Sequence, residues 1–214
     1  MAVAVSESHP SEGDDSAFAS AVFTRDWFPG RAAWPKYFAQ NRTGVREYLE
    51  IGSFEGRSLL YAAHLFPEAA LTCIDTFEGA GARHAHLAEL FDGLEQRFLR
   101  NIAPIRDRVR ILKGPSVRKL AEMSDSADVF DVIFIDGCHY YRHVMLDTLM
   151  TWPLLKVGGL LIWDDYDFEM LQYGDRMPRL ATNQFLDAYA GDYEVAFVTN
   201  QVAIRKIKPE PQVE

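Results

Sequence analysis

The chain has 214 residues, 48% of them hydrophobic, enough to bury one sizeable core in a single domain. Lys and Arg total 22 against 31 Asp and Glu, and the net charge of -9 argues against general affinity for nucleic acid or anionic membrane, which needs clustered cations. No run reaches the roughly 20 uninterrupted apolar residues of a membrane helix, and residues 1–20 lack the basic start and apolar centre of a secretion signal, so a cytoplasmic chain with small-molecule partners is expected.

Residues 6–20 are rich in Ser, Asp, Glu and Gly, so residues 1–20 are expected to form a disordered leader, with order beginning near Phe23. A cap over residues 21–44 carries Trp27, Phe28, Trp34, Tyr37 and Phe38, with Pro35 where a short helix can start. It reads either as a helix packed over a sheet or as aromatic walls for a substrate pocket. The main domain is expected over residues 45–208, with a flexible tail at 209–214. Its first strand ends at Glu50, a helix follows over 57–66 and Pro67 stops it, and the strand 71–74 ends in Asp75. A polar loop from residue 78 leads to a long helix with Leu87, Leu90, Phe91, Leu94 and Phe98 on one face. Then come strand 109–112, the turn Gly114-Pro115-Ser116 with a short helix, strand 132–135 and helix 140–152. A turn at Gly158-Gly159, strand 160–163, a last helix over 179–190, and strands 193–198 and 202–206 about a tight turn containing Asn200 complete the chain. Alternating strands and helices imply an α/β fold with a parallel sheet covered on both faces. Cys73 and Cys138 read as buried small apolar side chains. His64 is expected to pack on the first helix, His9 belongs to the leader, and His84 and His86 are solvated or line an entrance.

The chemistry starts at Glu50-Ile51-Gly52-Ser53-Phe54-Glu55-Gly56, a glycine turn between a strand and a helix, and at Asp75, an acid at the tip of the next strand. Glycines let backbone approach a ligand closely, and an acid so placed accepts hydrogen bonds from two ribose hydroxyls. Phe54 replaces the middle glycine of the dinucleotide fingerprint, and Glu50 and Glu55 add charge that would repel a pyrophosphate. A cofactor with a ribose, no phosphate, and cationic ammonium and sulfonium groups suits these acids: S-adenosylmethionine. In open α/β sheets ligands sit beyond the carboxyl ends of the strands, where Gly52, Asp75, Gly114, Asp136 and Asp164 all fall.

Neighbouring strands lie about 4.8 Å apart, so Asp136 at one tip and Asp164 with Asp165 at the next can converge on a hard divalent cation such as Mg2+, Mn2+ or Ca2+. Alternatively, Asp164 and Asp165 cap a turn and Asp136 meets cofactor or substrate without metal. His139 follows Asp136 by one helical turn and is a candidate base for an acceptor hydroxyl, or a hydrogen-bonded support. His143 with His139 and Asp136 would make a softer site for zinc or iron.

From about residue 20 to the end, these motifs resemble the class I S-adenosylmethionine-dependent methyltransferases, whose first motif is E-x-G-x-x-x-G and whose second strand ends in an acid. Ile133-Phe134-Ile135-Asp136-Gly137-Cys138-His139 and Trp163-Asp164-Asp165-Tyr166 are similar to a small bacterial subgroup with D-G-x-H and D-D-Y at the strand tips, related to metal-dependent natural-product sugar O-methyltransferases. The resemblance implies a Rossmann-like, seven-stranded sheet, mostly parallel with a C-terminal antiparallel hairpin. It implies that Glu50, Gly52 and Ser53 approach the methionine portion, that Gly56 allows close packing of the helix on the strand, and that Asp75 holds the ribose with Thr76 beside it. Gly114 and Ser116 would border the adenine, unless Ser116 caps its helix. Asp136 would touch cofactor and metal, Asp164 and Asp165 would complete the metal ligands, and His139 with Asp136 would be catalytic. The function so implied is metal-assisted O-methylation of a sugar, polyketide or phenolic metabolite, with a homodimer compatible with the cap aromatics. Metal-independent N- or C-methylation, or a Rossmann-like nucleotide-binding protein without methyltransferase activity, are the alternatives. The acceptor pocket is expected from residues 27–38, 79–90 and 167–178.

Overall fold

The computed structural model describes residues 18–39, 44–79, 88–123, 127, 129–167 and 178–209. A 3-10 turn at Pro29–Ala32 runs into α1 (Ala33–Phe38), and then β1 (Glu47–Ile51), α2 (Arg57–Leu65), β2 (Ala70–Asp75), α3 (Ala88–Phe91) and α4 (Leu94–Asn101) follow. Next come β3 (Val109–Lys113), α5 (Ser116–Ala121), β4 (Phe130–Ile135), α6 (Tyr141–Thr151), β5 (Leu155–Trp163), α7 (Pro178–Ala188), β6 (Tyr193–Val198) and β7 (Val202–Lys206). One sheet has the order β3-β2-β1-β4-β5-β7-β6. Its first five strands are parallel, and β7 and β6 are antiparallel, the sheet the resemblance implies. Strand order reverses between β1 and β4, which places the ligand crevice of an open α/β sheet there.

The central strands β1 and β4 are buried nearly throughout because both faces are covered. Tyr48, Cys73, Phe134 and Ile162 point into one core with α2 and the cap; Leu49, Ile74, Ile135 and Trp163 point into the other. Side chains alternate along a strand, so continuing that period sends Glu50, Asp75, Asp136 and Asp164 to the cap side. A single side of one sheet end thus collects four acids.

The cap is built into the core. Phe28, Trp34 and Phe38 are buried, and Trp34 meets Phe134 edge-on at 5.2 Å. Losing one such ring to Ala costs about 3–5 kcal/mol. Trp27 alone of these five is exposed, stacked on Phe54 at 4.7 Å. Phe18 also joins this core, so ordered packing begins before Phe23, while the leader through residue 17 lies outside the described residues.

Three local expectations change. The long helix breaks in two because Gly93 takes φ 62 and starts α4, although the apolar spacing runs on across it. Gly158-Gly159 is not the turn before the fifth strand: β5 starts at Leu155 and passes through both, with its register against β4 shifted between Phe130 and Val132. His64 lies on the exposed side of α2 rather than packing. His9, His84, His86 and most of the expected acceptor loops, at 80–87 and 168–177, lie outside the described residues.

Candidate active site

The ladder hydrogen bonds continue past the strand ends and align the tips. Gly114 N donates to Asp75 O (2.9 Å), Gly52 N to Ile74 O (2.9 Å), Asp136 N to Ile51 O (2.8 Å) and Asp164 N to Ile135 O (3.0 Å). Gly52 has φ 85, and a Cβ there would overlap the carbonyl oxygen of Asp136. The glycine therefore first serves the approach of the β4 tip, not only that of a ligand. Phe54, Phe77 and Asp165 also take positive φ, at 46, 57 and 54, so backbone strain gathers at the same rim.

Asp75 pins the glycine turn. Its Oδ2 accepts from Ser53 N (2.7 Å) and Phe54 N (2.9 Å), and its Oδ1 from Phe77 N (2.7 Å). A carboxylate has about four acceptor positions, which leaves Oδ1 capacity for a ribose hydroxyl. Thr76 Oγ1 accepts from Glu78 N (3.2 Å) and shapes the following turn.

Glu50 is fully buried, and its Oε2 accepts from the Tyr48 hydroxyl at 2.9 Å. Burial pushes its carboxyl up to about 7, the Ser53, Tyr48 and Ser58 hydroxyls oppose this, and the charge of Asp75 adds to it. Glu55 behaves differently from the loop charge read in the sequence. It is buried, and it accepts from Arg97 Nε (2.7 Å) and from Thr24 N (2.7 Å) and Oγ1 (3.0 Å), so it fastens the N-terminal segment and α4. Its charge is paired with that of Arg97, which leaves Glu50 and the tip aspartates as the acids of this rim.

Gly56 also has a different neighbour from the one expected. A Cβ there would sit 2.8 Å from Ile102 Cγ2 and 3.2 Å from Phe98 Cδ2, so its missing side chain admits α4 and the residue after it. Ser116 opens α5 but its hydroxyl accepts no capping bond, since the cap position is Pro115. Its hydroxyl instead holds down the carboxyl of Asp147, a buried acid on α6 that burial pushes up to about 6. Sequence reasoning missed Asp147, whose only signal is an acid within the helix that follows the Asp136 tip.

At the β4 and β5 tips, one ligand atom each from Asp136, His139 and Asp165 fall within 4.8 Å of one another. His139 Nε2 lies 3.2 Å from Asp165 Oδ2 and 3.7 Å from Asp136 Oδ1. Asp164 stands outside this trio: its Oδ1 accepts from Asp165 N at 2.8 Å, and its Oδ2 is buried without a hydrogen-bond partner. It is nonetheless a near neighbour. Burial, then Asp136 and Asp165, hold its carboxyl well above the usual range. Burial, then Asp165, Glu50 and Asp75, do the same to Asp136. Burial raises Asp165 too, with His139 opposing. His143 is exposed and outside the trio, so the described residues do not assemble the softer histidine site. Mutually repelling oxygen donors with one orphaned buried oxygen fit a hard divalent ion.

A doubly covered sheet of this order, with a glycine turn after β1 and acids at the tips of β2, β4 and β5, is the architecture expected of a class I methyltransferase. The family model described as a methyltransferase domain matches residues 49–166. The chain belongs to that family and has the class I S-adenosylmethionine-dependent methyltransferase fold. Among solved structures it is similar to MycE, a methyltransferase from the mycinamycin biosynthetic pathway solved with Mg, SAH and mycinamycin VI, at 18% identity and TM-score 0.61. That match covers 92% of this chain and 54% of MycE, so the chain spans about half of that relative's length. The O-methyltransferase from Bacillus cereus in complex with SAH gives 20% identity and TM-score 0.59, over 86% of this chain and 84% of that one. TomG from Streptomyces achromogenes, an O-methyltransferase of tomaymycin synthesis solved with SAM, gives 17% and 0.59, over 80% and 77%. Comparison with curated proteins finds no match.

Proposed function

We propose that the chain transfers the methyl group of S-adenosylmethionine to a hydroxyl of a small metabolite, a sugar, polyketide or phenol, with help from a divalent cation. The convergence of Asp136, His139 and Asp165 within 4.8 Å at the β4 and β5 tips carries this reading. The Mg in MycE and the O-methyltransferase descriptions of the other relatives support it.

Asp75 accepts the ribose through its remaining lone pairs, and Glu50 with the tip acids draws the cationic ammonium and sulfonium toward the β1 turn. Asp136 and Asp165, with Asp164 beside them, hold the ion. A bound ion would supply Lewis acidity to a hydroxyl held beside these carboxylates. His139 Nε2 takes the hydroxyl proton, and Asp165 Oδ2, 3.2 Å from that nitrogen, accepts from the imidazolium so formed and stabilises the charge it gains. Trp27 on Phe54 adds an aromatic surface beside the turn for the acceptor.

Calorimetry tests the cofactor, and turnover tests the ion. Micromolar binding of S-adenosylhomocysteine with no response to NAD is expected, together with loss of methyl transfer on chelation and its return with Mg2+. Binding of NAD in its place would refute the methyltransferase reading. Turnover that survives chelation would refute the metal and leave metal-free N- or C-methylation.

A further inference from the structure

Gln201, in the turn between β6 and β7, is fully buried although it is polar. Its Oε1 accepts a hydrogen bond from Trp34 Nε1 at 2.8 Å. That bond fixes the orientation of the carboxamide, because an indole N–H only donates, so Nε2 must face the other way. On that side lies Asp164. In the antiparallel pairing of β5 and β7, Trp163 is opposite Val202, and one step further along the same ladder sets Asp164 opposite Gln201. Tyr166 N donates to Asn200 O at 2.8 Å and keeps the two segments together past the strand ends. Gln201 Nε2 and Asp164 Oδ2 are both buried, and neither has a hydrogen-bond partner among the described residues. Gly30 completes the arrangement: a Cβ there would overlap the Gln201 amide, so the cap turn descends onto this side chain only as glycine.

We propose that Gln201 is a positioning residue for Asp164: Trp34 orients its amide so that Nε2 offers a proton to the Asp164 carboxylate and aims that carboxylate at the cation site. The proposal rests on the metal-assisted reading of the function above. It assigns the cap a role beyond packing, since Trp34 sets the direction of a polar group that reaches the β5 tip. The amide gives Asp164 a neutral donor, which holds the carboxylate in place without competing with an ion for its charge.

The test uses Mn2+ alone as the probe, with S-adenosylhomocysteine measured separately. Gln201→Met removes the donor at similar volume, and Trp34→Phe removes only the indole N–H that orients the amide. Both variants should weaken Mn2+ about 10-fold while leaving S-adenosylhomocysteine affinity within about twofold of wild type, which also certifies that they fold. A purely structural role would lower the melting temperature and leave Mn2+ affinity unchanged; that result, in either folded variant, overturns the proposal. If the wild-type chain binds no Mn2+, the metal reading itself fails and the proposal falls with it. Wild-type binding with unaffected variants defeats the positioning role alone.

Discussion

A methyl group at Gly52 would collide with the Asp136 carbonyl and occupy a backbone with φ 85, so two penalties meet at one residue. Gly52→Ala should cost on the order of 3 kcal/mol, measured by urea unfolding. Gly44→Ala, with nothing within 4 Å of its Cβ, should stay within about 0.5 kcal/mol of wild type. Equal losses at the two would contradict the argument. Glu50 gives a pH signature. Its proton is held at about 7 in the folded chain, against an ordinary 4.5. Its contribution to stability is therefore complete below pH 4.5 and is lost as pH rises through 7. Glu50→Gln escapes that loss. Its stability relative to wild type should rise between about pH 5 and about pH 8 by up to about 3 kcal/mol, read from unfolding titrations at each pH. A difference that does not vary with pH would count against a buried, protonatable Glu50.

Among the elements, the N-terminal segment and α4 are fastened through one loop. Glu55 takes Arg97 and Thr24, and Asn101 accepts from Val22 N (3.0 Å) while donating to Val22 O (3.1 Å) and Glu55 O (2.9 Å). Glu55→Ala leaves Arg97 Nε and the Thr24 amide and hydroxyl without their acceptor, at a cost of about 3 kcal/mol. Amide exchange at Val22 and Thr24 should accelerate strongly, while that in β1 and β4 changes only with global stability. Unchanged protection at Thr24 would show that the staple is unimportant. None of this staple was legible in the sequence, because Glu55 and Arg97 are 42 residues apart and only the folded chain brings them together. Strand-tip acids were legible for the opposite reason: Asp75 and Asp136 each end an apolar run, and a parallel sheet lines up such ends. Asp164 and Asp165 were found as a pair, but their division of labour was not, since it depends on φ 54 at Asp165 and on the β5 to β7 register that sets Gln201 opposite Asp164. The break at Gly93 was hidden by an apolar spacing that continues on both sides of it.

Across the whole molecule, one end of the sheet concentrates negative charge that the folded chain must hold together. Burial raises Asp136, Asp164 and Asp165, neighbouring carboxylates add to this at Asp136 and Asp164, and a cation bound there should stabilise the entire domain by linkage. At Mn2+ about 100-fold above its dissociation constant the gain is about 2.7 kcal/mol, which moves the melting temperature up by roughly 5–10 °C for a chain of this size. Asp136→Asn should show no such rise in a thermal scan, and a rise equal to wild type would place the ion elsewhere. No helix among the described residues is long and apolar enough to cross a membrane. The most direct test is a crystal grown with S-adenosylhomocysteine and Mn2+, read by anomalous scattering. The nucleoside should lie across the tips of β1 and β4 with its ribose on Asp75, and a manganese peak should touch Asp136 and Asp165. A nucleoside seated away from Asp75, or no manganese peak at those two carboxylates, would contradict the shared acidic site.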